Sequence, residues 1–67
     1  MTTIHLDDIW STRLSELPES GMGYQRVDFV LKNHRVVKDV MVFNAEDCES
    51  SEPFEPADIL DVKIHKV

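Results

Sequence analysis

The chain has 67 residues, 13 acidic against seven Lys and Arg side chains, a formal net charge of −6 and 42% hydrophobic residues. That length admits one domain, residues 1–67, near the size at which folding buries roughly 60% of the unfolded surface, so a large enclosed pocket is excluded and, at this hydrophobic content, so is wholesale disorder. The acidic balance excludes a direct nucleic-acid or anionic-membrane binder, whose affinity needs clustered Lys and Arg, and no run of about 18 apolar residues is present to span a bilayer.

Cys48 is the single cysteine, so no intrachain disulfide can brace the thin core, and a second subunit is the cheapest remaining support. A lone thiol suits a reducing compartment. The N-terminal residues lack a basic segment followed by an apolar run, so no signal peptide is read and the chain is expected to be cytoplasmic.

In chain order, Ile4 and Leu6 alternate with polar residues and suggest a short leading strand. Ile9 or Trp10, Leu14 and Leu17 then follow at helical spacing, with Asp7 or Asp8 placed to cap and Pro18 to stop, which predicts a helix over 8–17. Trp10 on that stripe reads as core. Glu19-Ser20-Gly21-Met22-Gly23 holds both glycines of the chain and reads as the turn from helix to sheet. It is no phosphate cradle, because a strand and not a helix follows it.

Residues 24–43 are two β-branched and aromatic runs flanking Asn33-His34, and they predict a β-hairpin closed by a two-residue turn. That register places Gln25 opposite Val42, Val27 opposite Val40 and Leu31 opposite Val36 on a mostly apolar face. The other face receives Tyr24 with Phe43, Arg26 with Met41, Asp28 with Asp39 and Val30 with Val37. Apolar residues on both sides, and two acids directly opposed, predict a bulge near Lys38-Asp39 or a basic group between the acids.

Residues 44–58 hold Glu46, Asp47, Glu49, Glu52, Glu55 and Asp58 with no Lys or Arg, so the whole net charge sits there. With Pro53 and Pro56 close by, they read as a long acidic loop, mobile over 44–52, with one helical turn at Pro56-Ala57-Asp58. Phe54 either folds back to cap the core or stands out as an anchor. Leu60, Val62 and Ile64 alternate with polar residues and predict a closing strand over 59–66. The fold class is α+β: one N-terminal helix on a small antiparallel meander of three to four strands, or a partly open barrel.

Chemistry is hard to find. His5, His34 and His65 lack ligand-pair spacing and read as solvent-facing, and the acids of 44–58 lack the glycine and remaining positions of a calcium loop. Cys48 lies between Asp47 and Glu49, which disfavour a thiolate, so it reads as an inert thiol. No catalytic residues, metal site or cofactor are expected. The function that remains is a non-enzymatic protein–protein interaction domain, a homodimer formed through a sheet edge or the second hairpin face. The alternative is an acidic inhibitor or regulator of a basic partner, a nucleic-acid-binding protein being one such, through 44–58. The partner-binding candidates are Glu46, Asp47, Glu49, Glu52 and Phe54 of the acidic segment, with Tyr24, Met41 and Phe43 of the hairpin.

Overall fold

A computed structural model describes residues 2–19 and 21–66. Strand β1 (Thr2–His5) leads into helix α1 (Asp8–Ser15), and β2 (Tyr24–Leu31), β3 (Val36–Phe43), β4 (Asp47–Ser50) and β5 (Ile59–Ile64) complete one sheet. Its strand order is β1-β4-β3-β2-β5, antiparallel at every pairing, with β1 and β5 at open edges. The α+β class and the open meander stand. The sheet has five strands because the acidic segment contributes one of its own.

Asp7 caps α1 by accepting from the Trp10 amide at 3.2 Å. The far end of the helix is closed by a side chain: Gln25, 4% exposed, donates its Nε2 to the carbonyls of Leu14 (2.8 Å) and Leu17 (3.1 Å). Leu14 is fully buried, whereas Trp10 and Leu17 flank the core and Ile9 is 74% exposed. In the turn that follows, Ser20 lies outside the described residues. Gly23 takes a φ of +79°, and a Cβ on Gly21 would run into the Tyr24 ring.

The hairpin departs from expectation at its tip. Lys32, Asn33 and His34 form a 3₁₀ turn, closed by the Leu31 amide donating to the Arg35 carbonyl at 2.7 Å, so the loop has three residues instead of two. Farther down, Lys38 and Asp39 together oppose Asp28, the bulge that the opposed acids required. The two one-residue offsets cancel. Tyr24, Gln25, Arg26 and Val27 therefore meet Phe43, Val42, Met41 and Val40 as expected, while Phe29 meets Val37 and Val30 meets Val36. The bulge is what puts Val37 on the same face as Val40 and Val42, and all three are buried.

Within 44–58 the helical turn at Pro56-Ala57-Asp58 is present as a 3₁₀ turn, but 44–52 is not the mobile loop expected, because residues 47–50 form a strand. Asn44 and Ala45, with φ of +54° and +58°, make a tight turn in which the Glu46 amide donates to the Phe43 carbonyl at 3.1 Å. The chain then runs back as β4 between β3 and β1. Cys48 and Ser50 point into the core at 0% and 1% exposure while Asp47 and Glu49 point out. A small thiol and a hydroxyl supply the inward face, which is why the alternation does not read as hydrophobic. Ser50 Oγ donates to the Glu52 carbonyl at 2.6 Å, so its polar end is satisfied locally.

The buried residues of the strands lie on one face of the sheet, where Leu6, Leu14 of α1 and Phe54 pack against them. Phe54 has folded back: its ring stands 5.2 Å from that of Phe29 at 43°, a tilted pair worth about 0.5–1.5 kcal/mol beyond its burial. Arg35 holds the approach to it, donating through Nη2 to Glu52 Oε2 (3.0 Å) and to the Pro53 carbonyl (2.9 Å).

Candidate functional site: the outer face of the sheet

The face opposite the core is built in rows that the strand register defines. His5, Asp47, Phe43 and Tyr24 form one row across β1, β4, β3 and β2; Thr3, Glu49, Met41 and Arg26 form the next. Five of the partner-binding candidates, Tyr24, Met41, Phe43, Asp47 and Glu49, therefore share one surface. The apolar face and the acidic segment, separate features in the sequence, are neighbours here because β4 pairs directly with β3.

The remaining candidates are elsewhere. Phe54 is core at 8% exposure, so it is not an outward anchor. Glu52 is taken up by Arg35. Glu46 sits in the β3–β4 turn, where its carbonyl accepts from the Leu6 amide at 2.8 Å.

Beside the apolar rows lies a polar network absent from the candidate residues. Arg26 donates from Nε and Nη2 to the two carboxylate oxygens of Asp39, each at 2.7 Å. Asp28 Oδ1 accepts from the Asp39 amide at 2.9 Å and pairs with His65 Nδ1 at 2.8 Å. Burial pushes the Asp28 carboxyl up, but the Asp39 amide and the His65 hydrogen bond outweigh it and hold the group below the ordinary carboxylate range. Asp39 is likewise lowered, chiefly by the hydrogen bond from Arg26. The opposed pair Asp28 and Asp39 was the sequence signal for this cluster; His65 carried none.

At the other margin His5 Nδ1 meets Asp47 Oδ1 at 2.9 Å, and that hydrogen bond raises the imidazole pKa. Both groups are exposed, so solvent screens the pair. Cys48 beneath them is a core residue, its thiol pushed up to about 12 by burial, with Asp47 adding to the effect. Among the described residues no three His, Cys, Asp or Glu side chains gather as a metal set. None of the described helices is long and apolar enough to cross a membrane.

A depression of about 230 Å³ opens between the end of α1 and the β2–β3 hairpin, lined by Leu14, Leu17, Tyr24, Gln25 and Val42 among others. The Gln25 amide nitrogen, one of its polar groups, is already committed to the helix carbonyls. Comparison with family models, with curated protein sequences and with solved structures gave no match.

Proposed function

We propose that this chain is a non-enzymatic protein–protein interaction domain that self-associates through the outer face of its sheet or through an open sheet edge. The supporting observation is the outer face itself. Tyr24, Val30, Met41 and Phe43 are only half-buried and Val36 is 44% exposed, while α1 and Phe54 both pack on the opposite face. A sheet with one dry face and one apolar-bearing open face has an unsatisfied surface, and a symmetric dimer is the commonest way to close it. The open edges of β1 and β5 offer the other route, strand addition. The single thiol fits a cytoplasmic setting.

The alternative, an acidic regulator that steers a basic partner with 44–58, is the weaker reading. Asp47, Glu52 and Asp58 each already have a base from another part of the chain, His5, Arg35 and Lys32. The field these acids project is reduced accordingly. Light scattering on a sizing column tests the proposal: association predicts a mass rising above the 7.7 kDa of one chain as the load increases. A constant single-chain mass contradicts it.

A further inference from the structure

We infer that the outer face docks onto a second copy of this chain about a two-fold axis lying along β3, with Met41 facing its counterpart and Glu49 facing the partner subunit's Arg26. The inference rests on the self-association reading and specifies its geometry. When two sheets meet face to face about an axis parallel to a strand, the strand on the axis faces itself and the strands on either side exchange places. With β3 on the axis, β4 of one copy lies over β2 of the other.

The row Glu49–Met41–Arg26 is complementary to itself under that exchange. Acid meets base on both flanks and methionine meets methionine in the middle, a soft side chain suited to self-packing. The adjacent row, Asp47–Phe43–Tyr24, places aromatic on aromatic at the axis and acid over phenol at the flanks. An axis along β4 would set the partner's Met41 against Thr3 and Glu49, which has no base of its own, against itself, whereas the one acid that β3 brings to the axis, Asp39, is already paired with Arg26.

The parts are already in place. Asp39 fixes the Arg26 guanidinium with two 2.7 Å bonds, so less freedom is lost on docking. Glu49 has no ion-pair partner among the described residues, and its flank is the acidic one. The edges are less suited to the task. β1 is four residues long, and β5 is broken by a register shift that leaves Leu60 unpaired beside Asp61 and Lys63.

The test is sedimentation equilibrium of the full chain beside Met41→Glu, Glu49→Arg and Met41→Cys, each checked for native circular dichroism. Met41→Glu brings two carboxylates together at the axis and is expected to leave a single chain of 7.7 kDa. Glu49→Arg is expected to weaken association by about tenfold or more, since it sets like charges against each other at both flanks. Met41→Cys is expected to form an intermolecular disulfide on mild oxidation, as facing strands of packed sheets can. Cys48 is buried and does not compete. A dimer that Met41→Glu leaves intact, or in which Met41→Cys fails to bridge, overturns the axis along β3 while leaving self-association standing. A wild-type chain at 7.7 kDa throughout overturns both.

Discussion

Asp28 accepts a hydrogen bond from the backbone N–H of Asp39 at 2.9 Å, so two acids opposed across the hairpin are joined instead of repelling. The extra residue of the bulge and the positive φ of Asp39, +58°, turn that amide toward Asp28, while the Asp39 side chain leaves for Arg26. Asp28→Ala removes an ionised acceptor from two donors and is expected to cost about 1.5–3 kcal/mol in urea unfolding. The folded-state pKa of Asp28 is below its unfolded value of about 3.9. Its contribution is therefore complete above that pH and is lost as pH falls through the folded value, so the variant should show a flatter acid limb. An unchanged acid limb would remove Asp28 from the account of the bulge.

His34 occupies the left-handed region at φ +61°, beside Asn33 at +65°. Asn and His are the side chains found there more often than most, but at a steric cost that glycine does not carry. His34→Gly is expected to raise stability by about 0.5–1 kcal/mol, because His34 is exposed and loses no packing. Asn33→Gly should be close to neutral. Thermal unfolding of the two variants side by side separates them, and a loss with His34→Gly would contradict the loop geometry.

Gln25 is the buried polar residue that ends the helix, and Gln25→Leu keeps its approximate size while removing the donor to the Leu14 and Leu17 carbonyls. The expected loss is about 1–3 kcal/mol, the cost of leaving those acceptors unpaired. A near-neutral result by chemical denaturation would mean that water reaches the carbonyls.

The segment 47–50 is the sharpest difference between a loop and a strand. As β4 it is bonded on both sides, so its amides are expected to exchange as slowly as those of β2 and β3. Cys48 provides a chemical readout of the same claim: a buried thiol with its pKa near about 12 should resist a disulfide reagent at neutral pH until the protein unfolds. Fast exchange over 47–50, or rapid labelling of Cys48, would return the segment to a loop.

Helix, hairpin and closing strand were legible because each carries large apolar residues at its own period: Trp10, Leu14 and Leu17 at helical spacing, Val27 and Phe29 against Val40 and Val42, Leu60 to Ile64 in alternation. The bulge was legible from the opposed acids. β4 was not, since Cys48 and Ser50 are small inward residues between four acids and carry no hydrophobic signal. Its turn was hidden as well, because Ala45 is an unusual residue at positive φ. Losing β4 from view separated the acidic segment from the apolar face it joins. Five of the candidate residues come together on one surface only because β4 pairs with β3, and Phe54, for which folding back and anchoring a partner were both open, is core.

Sedimentation equilibrium of the wild-type chain from low to high micromolar concentration decides whether the outer face self-associates. Self-association predicts a reversible shift from 7.7 kDa toward twice that mass, abolished by Met41→Glu without loss of fold. A wild-type chain that remains at the single-chain mass over the whole range would contradict it.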